Sequence, residues 1–242
     1  MKIIADTHCH TIASTHAYST VTELVHAAAK QGLYAVAVTD HATTMPGSPG
    51  RWYFRNLKVL PREMEGVLIL RGSEVNVIDY EGNIDLCGEE TENLDWMVAS
   101  IHNVTMASKE QPNVELCTQT WLNIAKNPQV NVIGHSGSEK YRYDYETVIP
   151  EFGRQGKLVE INENSFLVRE KSIPNCVTIA KTCKKYRVPI VINSDAHFHT
   201  QLGYYHNTIR MLEEIGFPEE LVINADIGRF KRYLEQYTPV FH

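Results

Sequence analysis

The sequence predicts an α/β fold in which seven parallel strands alternate with helices and form a closed or nearly closed barrel. Seven short runs are rich in valine and isoleucine without strict alternation, which is typical of strands buried on both faces of a parallel sheet. Helical patterns separate these runs, as crossover connections require. The length of 242 residues suits one large α/β domain. We therefore expect a single domain over residues 1–242.

The predicted strands follow one another along almost the whole chain. They are KIIADTH (2–8), YAVAVTDH (34–41), VLILRGSEVNV (67–77), WMVASIH (96–102), VNVIGH (130–135), KLVEINEN (157–164) and VPIVINSDAH (188–197). The first predicted helix begins at Thr20, which forms a capping-box pattern with Glu23. Further helices are predicted over residues 113–127, 176–186 and 208–215. Alternation of these elements favours a (β/α)7 barrel.

The segment TTMPGSPGRWYF (43–54) breaks this regularity. Its two prolines and two glycines predict an irregular loop, and large side chains follow them. The loop comes after the second strand, on the side where a parallel barrel carries its active site. It is either a surface connection or a lid over a substrate, and the residues leave both alternatives open.

Composition limits the classes of function. The net charge of −6 argues against broad nucleic-acid binding, which needs a basic face to displace counterions from phosphates. The apolar run before Asp6 is too short for a signal peptide, and no apolar run approaches the length of a membrane helix. Five cysteines without a CxxC pair suit a reducing compartment. We expect a cytoplasmic protein without a membrane partner, and the sequence predicts no particular oligomeric state.

Histidines and carboxylates lie at the carboxyl ends of six of the seven predicted strands. The residues are His8 with His10, Asp40 with His41, Glu74, His102, His135, and Asp195 with His197. Because the carboxyl ends of parallel strands meet at one face of a barrel, we expect these side chains to converge there. Chance placement of 11 histidines would not produce this pattern.

Their spacing suits metal coordination. In an extended chain His8 and His10 point to one side while Cys9 points to the other, and Asp195 and His197 have the same relation. Imidazole binds zinc, iron or manganese, and carboxylates can bridge two ions. With His16 on the first loop there are nine candidate ligands, which are too many for one ion and ample for two: His8, His10, His16, His41, Glu74, His102, His135, Asp195 and His197.

The same motifs resemble a known family. HxH near the start, a further histidine on the first loop, TDH, a glutamate on the third strand, SIH, GH and SDAH are similar to the PHP (polymerase and histidinol phosphatase) family from Asp6 to His197. The MPGSP loop resembles stand-alone bacterial members of this family rather than polymerase-fused ones. The resemblance implies a distorted seven-stranded (β/α) barrel with three metal ions, usually zinc, while manganese or iron also suits the ligands.

The resemblance assigns the ligands to three ions. His8, His10 and Asp195 would bind the first ion, and Glu74 would bridge it to the second. The second ion would also be bound by His102 and His135. The third would be bound by His16, His41 and His197.

The implied activity is a zinc-dependent phosphatase for phosphate monoesters of a small metabolite. Divalent ions attract a phosphate despite the acidic chain, and a metal-activated hydroxide is a nucleophile at neutral pH. Asp40 and His199 are candidate catalytic residues for the leaving group, although Asp40, like Asp6, could instead orient a histidine ring. Arg51, Arg55 and Arg169 are candidates for binding the substrate phosphate. Glu160 and Asn162 are expected to line the floor of the site as polar supports.

Other functions remain open. Members of the family with phosphodiesterase or exonuclease activity act on nucleic acid, which the acidic composition disfavours. Amidohydrolase barrels also begin with HxH, but they place an aspartate on an eighth strand and often a lysine on the fourth, where this sequence has His102. A zinc-storage or regulatory binding protein is the alternative without catalysis.

Overall fold

The computed structural model describes residues 1–241, in which strands and helices alternate along most of the chain. The strands are β1 (Ala5–Cys9), β2 (Ala35–Val38), β3 (Glu63–Met64), β4 (Val67–Asn76), β5 (Trp96–Ser100), β6 (Val132–Ile133), β7 (Leu158–Asn162) and β8 (Ile190–Asn193). The α-helices are α1 (Val21–Lys30), α2 (Arg51–Asn56), α3 (Val114–Ala125), α4 (Tyr145–Arg154), α5 (Asn164–Val168), α6 (Ile173–Tyr186), α7 (His206–Glu214) and α8 (Ile227–Tyr237).

Seven strands form a parallel sheet in the order β1-β2-β4-β5-β6-β7-β8, and the two-residue strand β3 pairs antiparallel with β4. All seven predicted strands are present. The prediction of a nearly closed parallel barrel with surrounding helices is therefore confirmed. Every one of its strands is buried except at a few positions of β4, as expected when helices cover the sheet.

The gap between β1 and β8 is closed by isolated hydrogen bonds rather than by a regular ladder. Cys9 forms a parallel bridge with Ala196. The backbone N–H and hydroxyl of Thr7 both donate to Oδ1 of Asn193, each at 2.8 Å. Nδ2 of Asn224 donates to backbone carbonyls of both β1 and β8 at 2.8 and 2.6 Å. Side-chain amides thus hold the first and last strands together.

The barrel floor is filled by α8. Phe230 and Leu234 of this helix are fully buried in one apolar cluster with Trp96 and the small residues Ala5 and Ala35. Because β1 and β2 contribute alanines there, the indole of Trp96 has room between the strands. The opposite end of the barrel, where the strands have their carboxyl ends, is left for polar residues.

Some elements differ from the predictions. Helices α4, α5 and α8 were not predicted, and α4 contains Pro150 in its interior. The segment 43–54 was predicted to be irregular throughout, but α2 begins at Arg51. The prolines and glycines all precede α2, with Gly50 as its N-cap, so only residues 43–50 are irregular. Burial of Phe54 anchors the helix. In the part of the chain that the structure describes, no helix is long and apolar enough to cross a membrane.

Candidate metal centre

Glu74 lies at the centre of the polar face, near the carboxyl end of β4, and is fully buried. Its Oε2 atom is 2.7 Å from Nδ1 of His41. The same oxygen is 3.4 Å from Nε2 of His8 and 3.5 Å from Nε2 of His10. Three imidazoles from the ends of two strands, β1 and β2, therefore direct nitrogens at one carboxylate oxygen.

The other oxygen of Glu74 faces two further strand ends. Oε1 is 2.8 Å from Nε2 of His135 and 3.4 Å from Nε2 of His102. His135 adopts the unusual positive φ of 21°, which costs energy for a residue other than glycine. The two oxygens of Glu74 thus join two sets of histidines, as a bridging carboxylate does.

Asp195 and His16 complete the cluster. Oδ1 of Asp195 is 3.2 Å from Nε2 of His10 and 3.7 Å from Nδ1 of His197, and Asp195 has a left-handed φ of 56°. The imidazole of His16 is stacked on that of His41, with the two Nε2 atoms 3.3 Å apart. His16 is the exposed member of the cluster. The nine predicted ligands therefore lie together at the carboxyl face of the barrel.

Several of these side-chain atoms are buried without a hydrogen-bond partner: Nε2 of His8, Nε2 of His10, Nδ1 of His41 and Oε2 of Glu74. The short distance between His41 and Glu74 does not have hydrogen-bond geometry, so both atoms stay unpartnered. Unsatisfied polar atoms are rare inside proteins, and their convergence on one point suits a bound cation. Nitrogen and carboxylate donors of this kind suit zinc and related divalent ions.

Three compact groups of possible ligands occur among the described residues. They are His8 with His10 and Glu74, His41 with Glu74 and His102, and His10 with His41 and His197, each with its ligand atoms within 4.8 Å of one another. The first and second groups share Glu74, which agrees with its predicted bridging position. His41 belongs to the second and third groups, whereas its predicted assignment was to the third ion alone.

Polar residues behind the cluster orient two of the rings. Nδ1 of His8 is 2.7 Å from Oε1 of Glu160, and Nδ1 of His102 is 2.8 Å from Oδ1 of Asn76. If Nδ1 carries the proton in each ring, Nε2 is free to bind a cation, as in most metal-bound histidines. Asn76 itself donates from Nδ2 to Asp85 at 2.8 Å, which fixes the amide orientation. Sequence reasoning missed Asn76 and Asp85, although Asn76 lies two residues after Glu74 and hence on the same face of β4.

The electrostatic environment shifts the pKa values of Glu74 and of several imidazoles in the cluster. Burial alone would raise the pKa of Glu74, but the neighbouring imidazoles, His41 and His8 foremost, hold it well below its ordinary value. Burial lowers the pKa of His102 to about 3 and that of His10 well below its ordinary value. His8 differs, because Glu160 and Glu74 raise its pKa well above the usual range despite burial. The carboxylates thus favour positive charge at the position that Nε2 of His8 faces.

Asp40, predicted as a catalytic residue, is fully buried and has both oxygens occupied. Oδ1 accepts from the backbone N–H of Thr11 and the hydroxyl of Ser14, both at 2.7 Å. Oδ2 accepts from the hydroxyls of Thr11 at 2.7 Å and Tyr53 at 2.6 Å. Asp40 therefore joins the first loop to α2 through four hydrogen bonds, and its catalytic role stays a prediction.

The predicted catalytic residue His199 also lies outside the site cavity. Its Nδ1 is 3.1 Å from Oγ of Ser19, and its backbone N–H donates to the same oxygen at 2.9 Å. The predicted phosphate-binding residues Arg51 and Arg55 are exposed and face away. Nη1 of Arg51 is 3.3 Å from Glu90, and Nη2 of Arg55 is 2.9 Å from its neighbour Glu89. None of the three predicted residues lines the cavity, because their own partners hold them elsewhere.

An open cavity of about 270 Å³ lies directly above the cluster. Six predicted ligands line it: His16, His41, Glu74, His102, Asp195 and His197. The remaining wall consists of Met45, Asn164, Val168 and Arg169. Nη2 of Arg169 is 3.5 Å from Oδ2 of Asp195, so the predicted phosphate-binding arginine of the β7 loop does reach the cluster.

The fold and this site define a (β/α) barrel with a candidate polynuclear metal centre. The family model of the PHP domain matches residues 6–164, and the chain belongs to this family, as its motifs predicted. A probable phosphatase of Thermoanaerobacter sp. strain X514 is 44% identical over 98% of this chain and 96% of that protein. A probable phosphatase of Acetivibrio thermocellus is 40% identical over 98% of this chain and 97% of that protein.

Solved structures share the fold. A histidinol phosphate phosphatase from Lactococcus lactis, solved with zinc, L-histidinol and phosphate, aligns with a TM-score of 0.61 and 15% identity over 90% of this chain and 95% of its own. An archaeal ribonuclease P chain aligns with a TM-score of 0.59 and 10% identity over 96% of this chain and 90% of its own. At these identities the likeness shows the barrel fold alone.

Proposed function

We propose that this chain is a metal-dependent phosphatase that hydrolyses phosphate monoesters of a small metabolite. The observation that carries the proposal is the convergence of buried, unpartnered ligand atoms on Glu74 beneath an open cavity. The relatives named probable phosphatase, which match almost the whole chain, support the reaction class. The structural relative, a phosphatase solved with zinc and phosphate, agrees with a metal-dependent reaction.

Three zinc ions are the proposed cofactor, and manganese or iron would also suit the donors. His8, His10 and Asp195 would bind one ion, His102 and His135 a second, and Glu74 both. His16, His41 and His197 would bind the third. The group of His8, His10 and Glu74 supports the first assignment. The proximity of His102 and His135 to Oε1 of Glu74 supports the second, and the stacking of His16 on His41 supports the last.

Bound divalent ions would supply charge for the phosphate and would lower the pKa of a water molecule toward about 7. The chain's own residues provide the rest. Arg169 would bind a phosphate oxygen, because its guanidinium lies beside Asp195 at the cavity wall. Since the oxygens of Asp40 are fully used, we propose that the leaving oxygen takes its proton from water that enters the open cavity.

The experiment is elemental analysis of the purified protein together with hydrolysis of p-nitrophenyl phosphate. About three equivalents of divalent metal and phosphatase activity are expected. Replacing His41 by Ala should remove about one equivalent of metal. His26→Ala is the matched control, because His26 is an exposed helix residue paired with Glu65 outside the cluster.

The alternatives give different results. Protein without metal would contradict the proposed site. Metal without hydrolysis of phosphomonoesters would favour a metal-binding protein. Hydrolysis of bis(p-nitrophenyl) phosphate in preference to the monoester would favour a phosphodiesterase, and hydrolysis of amide substrates alone would favour an amidohydrolase.

A further inference from the structure

The wall of the site cavity, as far as the structure describes it, has one charged side chain besides the predicted metal ligands. Apart from the predicted metal ligands, its side chains are two apolar residues, Met45 and Val168, one amide, Asn164, and one cation, Arg169. Within residues 1–241, Arg169 is thus the sole arginine or lysine among the residues that line this cavity. A ligand bound there meets one fixed positive side chain.

Arg169 is directed at the metal-binding cluster rather than at the outer part of the cavity. Its Nη2 is 3.5 Å from Oδ2 of Asp195, and its Nη1 is 3.5 Å from Oγ of Ser165. A phosphate held over the cluster therefore lies within reach of this guanidinium. Arg169 would pair with this phosphate, so no other arginine or lysine in the described cavity wall remains for a second anionic group on the same substrate.

Other basic side chains near this end of the barrel have partners that hold them away. Arg51 and Arg55 pair with neighbouring glutamates outside the cavity. Lys140, on the loop after β6, donates to Oδ1 of Asn103. None of these three residues lines the cavity, so none supplies a second positive charge.

The two apolar wall residues are held in place by their own segments. Thr44, next to Met45, donates from both its N–H and its hydroxyl to Oδ2 of Asp85 at 2.8 Å. This carboxylate fixes the irregular loop against β4. Val168 ends α5, whose start is held because Oδ1 of Asn162 accepts the N–H of Ser165 at 3.1 Å. The neutral wall is therefore part of the anchored structure.

We infer that the site selects compact phosphate esters whose leaving group carries no second negative charge. This inference rests on the proposed phosphatase function and narrows its substrate class. Arg169 is the cation that a phosphate over the cluster would meet, and Met45 and Val168 are the wall residues that a leaving group would face. A carboxylate or second phosphate there would find no second positively charged side chain in the wall that residues 1–241 form, and water that the half-buried Met45 displaces from it would be lost without compensation. The volume of about 270 Å³ is also below that of most drug-sized pockets.

The test uses the full chain purified with its metal and two matched pairs of substrates. The first pair is glycerol 3-phosphate and 3-phosphoglycerate, and the second is phenyl phosphate and 4-carboxyphenyl phosphate. We expect kcat/KM to be at least about tenfold higher for the member of each pair whose leaving group lacks the carboxylate, since a partly desolvated, unpaired carboxylate is costly. Preference for the carboxylate member in both pairs would overturn the inference.

Variants at the exposed residue Val168 test the physical cause. Val168→Lys places a second cation at the cavity wall and should bring the ratio of the two kcat/KM values in each pair close to one. Val168→Gln is polar but neutral and should leave this ratio unchanged. An equal fall of the kcat/KM ratio in both variants would show that charge at the wall is not the cause of the selectivity. Hydrolysis of none of the four substrates by metal-loaded protein would overturn the proposed function itself, whereas hydrolysis with the opposite preference would overturn only the substrate class.

Discussion

Glu160 holds the imidazole of His8, with Oε1 of the glutamate 2.7 Å from Nδ1 of the ring and both side chains fully buried. The other oxygen of Glu160 accepts the backbone N–H of His135 at 2.8 Å. One carboxylate on β7 thus supports ligands at the ends of β1 and β6. Since His135 has a positive φ, this hydrogen bond also stabilises a backbone conformation that would otherwise be strained.

Glu160→Gln should weaken metal binding. An amide has one acceptor oxygen and cannot accept from both His8 and His135, so their orientation is lost. Loss of such a supporting carboxylate typically costs about 10–100-fold in metal affinity or activity. Metal content after dialysis against a chelator of graded concentration measures the effect.

Glu163→Gln is the matched control for that change. Glu163 is also buried and hydrogen-bonded, but it accepts from Asn207 and Thr208 at the start of α7 and contacts no predicted ligand. We expect lower stability with unchanged metal affinity. Equal loss of metal in both variants would contradict a specific role for Glu160.

Asn76→Ala should loosen the imidazole of His102. The amide oxygen lies 2.8 Å from Nδ1 of His102, and Asp85 fixes the amide from behind. We expect about 10–100-fold weaker binding of one metal equivalent, measured by elemental analysis after partial chelation. Asn83→Ala serves as the control, because Asn83 is exposed and its side chain donates to Asp79 within the same turn. Full metal retention by Asn76→Ala would show that His102 needs no such support.

Asp40→Asn separates a structural role from a catalytic one. Two N–H or O–H donors point at each oxygen of Asp40, and an amide can accept at only one side. Each buried donor left unpaired costs about 1–3 kcal/mol, so the free energy of unfolding should fall by at least that amount. Urea unfolding measures it. Normal stability with abolished turnover would instead favour the catalytic role predicted for Asp40.

Lys157 should make stability depend on pH in the alkaline range. Its ammonium group is buried, donates to the carbonyls of Asn127 and Val130 at 2.6 and 2.7 Å, and has its pKa lowered by burial to about 8 from 10.5. Between these values the unfolded chain binds a proton that the folded chain does not, so stability rises with pH across this window. Urea unfolding at pH 7.5 and 10 should show a larger increase for the natural protein than for Lys157→Met. An equal change in both would exclude Lys157 as the cause.

The sequence by itself determined the barrel and the residues that gather at its open end. Buried parallel strands are continuous runs of Val and Ile, and six of the seven predicted strands have a histidine or carboxylate at the carboxyl end, as at Asp40-His41 and Asp195-Ala196-His197. Both signals are local, so neighbouring residues reveal them. The helix α8 was missed although its signal is local too, because Asp226 caps it and Phe230, Tyr233 and Leu234 recur at helical spacing.

Only the tertiary structure decided what each polar side chain does. Glu160 and His8 are 152 residues apart, and no local pattern reports a hydrogen bond at that separation. Asp40 and Arg169 were both predicted to take part in the reaction. In the structure Asp40 is buried and accepts a hydrogen bond from Tyr53 of α2, whereas Arg169 lies beside Asp195 in the cavity wall. Strand patterns determine which residues meet, whereas orientation depends on partners that only the folded chain brings within hydrogen-bond distance.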